Sequence, residues 1–245
     1  MRFINMCKAV AMTALLSIAA MPALGQSLTT TYSGGNSFAG NTFDITPSKN
    51  IQVDGFDINI SGAAEFATIA IYWRNGTADG FQDSATGWTL LGTTNVAPQG
   101  LNVATHVPIG GLSMNAGQTY GIYLDVQNHG GFDTSDFLSL NYTNGGPTLF
   151  SNADLSLTTL YGKGAPAFTG PSFFPRQWNG TVYYHLSTTC ASEGYKGAQL
   201  TWCQNICENG LTGQVLDTWI HRWIRRYRDL PYCAVEQPEN PPPNT

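Results

Sequence analysis

The sequence of 245 residues is poor in charge, since only 11% of its residues are Asp, Glu, Lys or Arg. It has no cysteine between residues 8 and 189, and no apolar run after residue 25 is long enough to cross a membrane as a helix. Low charge together with abundant Gly, Ser, Thr and Asn argues against a long-helix or disordered chain and is typical of an extracellular β protein. A cysteine-free body of this length must be stabilised by its buried core alone.

Signatures of common enzyme classes are also missing. The sequence contains no Gly-x-Ser-x-Gly elbow, no His-Glu-x-x-His motif and no phosphate-binding glycine loop. Glu65 is the only glutamate of residues 26–189, which disfavours a glycosidase with paired carboxylates. We therefore predict a non-enzymatic binding or surface-associated protein whose partner is a glycan or an extracellular protein. A secreted hydrolase with its site in the loops is one alternative, and a structural protein that assembles through its C-terminal module is another.

The N-terminus has the three parts of an export signal. Arg2 and Lys8 supply positive charge, residues 9–20 are apolar, and small residues precede Gln26. Residues 1–25 are therefore predicted to be a signal peptide cleaved near Gly25. The mature protein is expected to be secreted, periplasmic or at the cell surface, without a transmembrane segment.

The mature chain is acidic. Residues 26–245 hold 9 basic and 16 acidic residues, and residues 26–189 alone hold 4 basic and 10 acidic residues. Because nucleic acids are bound largely through their phosphates, this balance predicts no nucleic-acid partner.

Residues 26–189 show the two-residue period of β-strands. Apolar and polar residues alternate over residues 51–60 and again over residues 119–126, and turn signals separate eight to ten such stretches. This pattern is typical of an antiparallel β-sandwich of jelly-roll or Greek-key type, with an open β-barrel as the alternative.

The composition changes at residue 190. Residues 190–233 contain all four cysteines of the mature chain and two helical patterns, over residues 198–208 and 213–228. Two disulfides are the preferred interpretation in an exported chain, because the spacing lacks the knuckles typical of zinc modules. The favoured pairing is Cys190–Cys207 with Cys203–Cys233, and the pairing Cys190–Cys203 with Cys207–Cys233 remains open. Residues 234–245 are Pro-rich and are expected to be extended or disordered.

One polar loop could present a ligand site. It contains Asp125, Asn128, His129, Asp133 and Asp136, whose oxygen and nitrogen atoms could contact a sugar or hold calcium. The spacing fits no known calcium loop, and an ordinary acidic hairpin loop is the simpler interpretation. We therefore predict no cofactor and keep calcium as a weak alternative.

Aromatic residues crowd the last loop and strand of the body. Phe173 and Trp178 are candidates to stack on a sugar, with Arg176 between them, although core packing also explains some aromatic residues there.

The second predicted helix carries a basic stripe. Arg222, Arg225 and Arg226 lie mainly opposite its apolar residues. A solvated face is the simpler interpretation, and the alternative is that the stripe docks on an anionic surface.

Three phrases resemble those of uncharacterised exported β-sandwich proteins of bacteria: residues 87–92, 116–123 and 178–184. The resemblance covers about residues 28–186 and implies export and a β-sandwich, with no catalytic residues. Residues 190–233 resemble short cysteine-containing tails of other bacterial secreted proteins.

Overall fold

A computed structural model describes residues 25–130, 137–146 and 148–234. Nearly all of the predicted signal peptide and nearly all of the predicted Pro-rich tail lie outside these residues. No helix within the described ranges is both long and apolar enough to span a membrane.

The described chain consists mainly of short strands followed by two helices. The elements are β1 (Gln26–Thr29), β2 (Asn36–Phe38), β3 (Gly40–Pro47), β4 (Ile51–Gly62), β5 (Ala67–Asn75), β6 (Thr89–Val96), β7 (Ala104–Val107), β8 (Leu112–Met114), β9 (Tyr120–Val126), β10 (Leu138–Asn144), β11 (Leu149–Ser151), β12 (Leu155–Lys163), β13 (Ser172–Phe173), β14 (Arg176–Trp178), β15 (Gly180–Leu186), α1 (Gly197–Cys207) and α2 (Gly213–Tyr227).

The strands form two antiparallel sheets. The eight-stranded sheet has the order β1-β15-β4-β10-β14, with β2 added beside β10 and with β7 and β8 beside β4. The seven-stranded sheet has the order β11-β12-β3-β9-β5-β6, with β13 beside β12. The predicted fold class, an antiparallel sandwich followed by a two-helix module with disulfides, is confirmed. The open barrel is not formed, because the strands divide between two separate sheets.

The core lies between the two sheets and is built from the inward residues of alternating strands. Trp178 of β14 stacks on Phe43 of β3, with ring centroids 4.1 Å apart, and Phe56 of β4 meets Trp178 edge-on at 6.5 Å. All three side chains are fully buried. Aromatic pairs of this kind add to the stability that burial of their area already supplies.

Strand β9 is buried on both of its faces. Tyr120, Ile122 and Leu124 point into the core, as their alternation predicts. Tyr123 lies on the opposite face of the strand and is nevertheless fully buried, because the segment that follows β12 covers it. This second, outer layer on the seven-stranded sheet creates the candidate site.

The helical module has a small core of its own. Cys190, Cys203, Ile206 and Trp223 are buried in it, and this cluster is separate from the core of the sandwich. The helix bounds lie within one residue of those predicted. Thr212 occupies the N-cap position of α2, and its side chain makes no capping hydrogen bond.

The favoured disulfide pairing is wrong. The structure joins Cys190 to Cys203 and Cys207 to Cys233, with Cα–Cα distances of 5.7 and 5.6 Å. The prediction placed Cys233 beside the start or middle of α1 because an antiparallel α2 runs back along it. Instead, Arg228 ends α2 in the left-handed conformation with φ 69°. The chain then turns, and Cys233 reaches the last residue of α1.

Candidate binding cleft

The predicted loop residues have different environments. Asp125 lies in β9 and faces outward from the seven-stranded sheet. Asn128 ties the loop to the start of β5: its Oδ1 accepts a hydrogen bond from Thr68 N at 2.7 Å, and its Nδ2 donates to Phe66 O at 3.0 Å. Asn128 therefore holds the backbone in place. Asp133 and Asp136 lie outside the described residues, so their part in the prediction stays untested.

His129 belongs to an aromatic row. Its ring stacks on Phe38 at 5.9 Å and meets Phe137 edge-on at 4.8 Å, and Phe38 in turn lies 5.6 Å from Phe173. The structure therefore connects two predicted site residues, His129 and Phe173, through Phe38. His129 is buried, and its Nδ1 donates to Gly130 O at 2.8 Å.

The predicted site residues of the last loop and strand also lie in different environments. Trp178 is a core residue, so the prediction that it could contact a ligand is wrong. Its position in the strand places it on the inward face, where Phe43 covers it. The Arg176 guanidinium lies 5.7 Å from the ring centroids of both Tyr142 and Phe173, and its Nη1 donates to Pro175 O at 2.9 Å.

The outer face of the seven-stranded sheet brings together polar residues from distant parts of the chain. Lys163 of β12, Gly40 of β3 and Asp125 of β9 are consecutive partners across three neighbouring strands. A Cβ atom at Gly40 would lie 2.7 Å from both Leu124 O and a ring carbon of Tyr123. The absence of a side chain at Gly40 therefore leaves room for the ring of Tyr123.

Lys163 anchors the segment that covers this face. The side chain is fully buried, and its Nζ donates to Asp83 Oδ1 at 2.6 Å, to Gly170 O at 2.8 Å and to Ser172 Oγ at 2.6 Å. All three ammonium protons thus have acceptors, which a buried lysine requires. Lys163 holds the segment of residues 164–172 and the loop that contains Asp83 against the sheet.

A cleft of about 290 Å³ opens beside this anchored segment, close to the lower end of the range for small-ligand pockets. Asp125 and Val126 form its floor. Half-buried Tyr72 and exposed Gln127 line one side, and residues 165–167 line the other.

Asp125 is an almost completely buried carboxyl, only 3% exposed, at the floor of this cleft. Gln127 Nε2 donates to its Oδ2 at 2.6 Å, and the Tyr123 hydroxyl donates to its Oδ1 at 3.5 Å. Burial raises the pKa of Asp125 to about 6, although these hydrogen bonds and the charge of Lys163 oppose the rise. Near neutral pH, the cleft therefore presents a desolvated carboxylate next to an amide.

Aromatic rings surround the carboxylate. Phe168 packs edge-on against Tyr123 at 4.9 Å and against Tyr72 at 5.1 Å. Burial raises the pKa of Tyr72, and the nearby charge of Asp125 raises it further. The Tyr72 hydroxyl consequently stays protonated and able to donate.

A more open aromatic pair lies on the same sheet face. Phe174 is 59% exposed and its ring lies 5.1 Å from that of Tyr161, whose hydroxyl donates to Asp79 Oδ1 at 2.7 Å. The face thus offers a polar cleft and an exposed aromatic surface.

Sequence reasoning identified Asp125 but missed the residues that make its environment. Tyr72, Gln127 and Lys163 come from separate stretches, and residues 165–167 lie in a loop that had no assigned role. The prediction placed Asp125 in a polar loop, and the alternation of β9 contains no signal that another segment covers its outer face.

The described residues contain one group of three or more side chains suited to holding a metal ion: Cys190, Cys203 and Cys207. Disulfides occupy these sulfur atoms. The weak calcium alternative remains untested, since two of its carboxylates lie outside the described ranges.

No protein-family model matches this chain, and no curated protein matches it. Among solved structures, the chain is similar to the cysteine protease and lectin-like domains of Cwp84, a surface layer associated protein of Clostridium difficile. The identity is 11%, the alignment covers 71% of this chain and 38% of that chain, and the TM-score is 0.42.

The chain is also similar to the VP2 subviral particle of infectious bursal disease virus, at 12% identity and a TM-score of 0.26, over 73% of this chain and 46% of that chain. A T13 viral particle of the same virus gives 10% identity and a TM-score of 0.21, over 82% and 50% of the two chains. The chain therefore spans at most half the length of these structures. These TM-scores are too low to indicate a function, so the function is inferred from the residues of this chain.

Proposed function

We propose that the protein is an exported glycan-binding protein that holds a sugar residue in the cleft at Asp125. The observation that carries this proposal is a carboxylate buried at the floor of an open cleft, beside the amide of Gln127 and the ring of Tyr72. Neighbouring hydroxyl groups of a sugar can donate to such a carboxylate, and an aromatic ring can cover the apolar face of the sugar.

The cost of burying Asp125 supports a functional role. A carboxylate with a raised pKa destabilises the folded protein near neutral pH, and groups of this kind cluster at functional sites. The Lys163 ammonium does not hydrogen-bond to it, because its three donors are directed to other acceptors. Sugar hydroxyls would supply the hydrogen bonds that the carboxylate lost when it was buried.

Export is part of the proposal. Two disulfides fit a protein that works outside the cytoplasm, where thiols are not kept reduced. The predicted signal peptide supports the same conclusion, as does the resemblance to exported bacterial proteins.

Binding is favoured over hydrolysis by the composition of the cleft. A carboxyl with a pKa of about 6 could serve as a general acid. Glycoside hydrolysis commonly needs a second carboxyl across the bond, however, and Asp125 is the only acidic residue among those that line the described cleft.

The test is a glycan array probed with the mature protein and with Asp125→Asn, Tyr72→Ala and Glu65→Gln variants. Hydrogen bonds to a charged group contribute about 1.5–3 kcal/mol, so Asp125→Asn is expected to weaken binding roughly 10- to 100-fold. Tyr72→Ala removes the stacking ring and should also weaken it. Glu65→Gln changes an exposed carboxyl outside the cleft and is the matched control.

Two results would contradict the proposal. Array ligands that bind the Asp125→Asn and wild-type proteins equally would place the glycan site elsewhere. Release of shorter products from a bound glycan, measured by mass spectrometry and lost in Asp125→Asn, would make the protein a hydrolase.

A further inference from the structure

Helix α2 has two chemically different faces. Trp219, Trp223 and Tyr227 point toward α1, where Trp202 meets Trp219 at 5.9 Å and Tyr227 at 5.8 Å. The arginine face, formed by Arg222, Arg225 and Arg226, is exposed, and the Arg222 guanidinium lies 5.4 Å from the Trp219 ring centroid. Most apolar residues of α2 pack against α1, and the exposed surface of the helix includes this arginine face together with Val215 and Ile224, which are 56% and 42% exposed.

The arginine face forms no salt bridge within the described residues, although Asp229 follows Arg226 by three residues. The four salt bridges formed among the described residues all lie within the β-sandwich. Asp217 is the only acidic residue of α2, and a spacing of five residues places it about 140° around the helix from Arg222. The positive charges of this face are therefore available to a partner.

An apolar residue lies within the same stripe. Val215 precedes Arg222 by seven residues, or two helical turns, and is 56% exposed. A soluble polyanion would offer no apolar contact to this side chain. A lipid surface can accommodate it between headgroups while phosphates accept hydrogen bonds from the guanidinium groups.

We propose that the arginine face of α2 binds the surface of a bilayer that contains anionic lipids. The difference in charge between the acidic sandwich and the arginine face would orient this contact. The sandwich region, with its 4 basic and 10 acidic residues, is repelled by an anionic surface, whereas the arginine face is attracted. The helical module would then lie on the bilayer through this face.

The expected strength of this contact follows from its charges. Each basic residue near an anionic bilayer contributes roughly a fivefold gain in affinity, so removal of all three arginines should weaken binding roughly 100-fold. The attraction is screened by salt, because the Debye length falls from about 10 Å at 0.1 M to about 3 Å at 1 M.

The test is co-sedimentation of the mature, disulfide-bonded protein with vesicles of phosphatidylcholine alone or of an equal mixture with phosphatidylglycerol. Wild-type protein should bind the mixed vesicles only, and the binding should disappear as NaCl rises from about 50 to about 500 mM. The triple variant Arg222→Gln, Arg225→Gln, Arg226→Gln should lose this binding. The matched triple change to Lys keeps the charge and should retain it.

Further controls separate the arginine face from net charge and from folding. Lys49→Gln removes one positive charge from the sandwich and should leave vesicle binding unchanged. Unaltered helix content of the triple Gln variant, measured by circular dichroism, shows that the module is folded. Equal binding to both kinds of vesicle, or undiminished binding of the triple Gln variant, would overturn the proposal. Binding of wild-type protein to heparin but not to the mixed vesicles would overturn it as well.

Discussion

The buried carboxyl of Asp125 makes a specific prediction about stability and pH. In the unfolded chain this group has its usual pKa of 3.8, and in the folded protein its pKa is about 6. Well below pH 3.8, Asp125 is protonated in both the folded and the unfolded state, and its burial as an acid then carries no charge penalty. As the pH rises toward 6, the unfolded chain loses its proton first, so stability falls until the folded pKa is passed.

The magnitude follows from the two pKa values. One pKa unit corresponds to about 1.4 kcal/mol, so charging Asp125 costs the folded protein about 3 kcal/mol at neutral pH. Asp125→Asn removes the charge and keeps the shape of the side chain. Its Oδ1 can still accept from Gln127, and its amide can donate to the Tyr123 hydroxyl. We expect the variant to be up to about 3 kcal/mol more stable than wild type at pH 7.5 and less than about 1 kcal/mol more stable at pH 4.

The assay is urea unfolding of the mature protein between pH 4 and 7.5, followed by tryptophan fluorescence, for wild type, Asp125→Asn and Glu65→Gln. The exposed Glu65 carboxyl should change stability by no more than about 0.5 kcal/mol at any pH. A constant difference between wild type and Asp125→Asn across this range would refute the reasoning, because the carboxyl would then not be desolvated by the cleft. A gain in stability together with a loss of glycan binding would be the expected signature of a functional residue.

Three further predictions concern the elements that shape the protein. Lys163→Met leaves Gly170 O and Ser172 Oγ without their donor and should lower the free energy of unfolding by about 2–3 kcal/mol. The segment of residues 164–172 should also become sensitive to limited proteolysis. Unchanged resistance to the protease would contradict the anchoring role of Lys163. Gly40→Ala should lower the free energy of unfolding in urea by about 1–3 kcal/mol and weaken glycan binding, because its Cβ would displace Tyr123. Wild-type stability together with wild-type glycan binding would contradict this role of Gly40. Peptide mapping without reduction should recover Cys207 joined to Cys233, and recovery of a Cys203–Cys233 peptide would disprove this pairing. Replacing both Cys207 and Cys233 by Ser should destabilise the module by about 3 kcal/mol, measured as loss of helix content on heating.

Local periodicity was sufficient for the fold class. The two-residue alternation of β9 identifies its core face whatever that face packs against, because side chains on successive residues of a strand must point to opposite sides. The four-residue spacing of Trp219, Trp223 and Tyr227 likewise predicted the buried face of α2. Such patterns depend only on neighbouring residues, which is why both helices and eight to ten strands could be predicted without tertiary information. The described residues form fifteen strands, and β3 (Gly40–Pro47) is one that was not predicted.

The tertiary structure was needed for every feature that depends on contacts between distant segments of the chain. The pairing of Cys207 with Cys233 depends on a reversal at Arg228, and the burial of Trp178 depends on the facing sheet. The sequence alone predicted that residues 26–189 form a sandwich, whereas it assigned Asp125 to a polar loop and the structure places it in β9. Only the packing of residues 164–172 over β9 desolvates that carboxyl, because desolvation depends on all the atoms around a group and not on its neighbours in the chain.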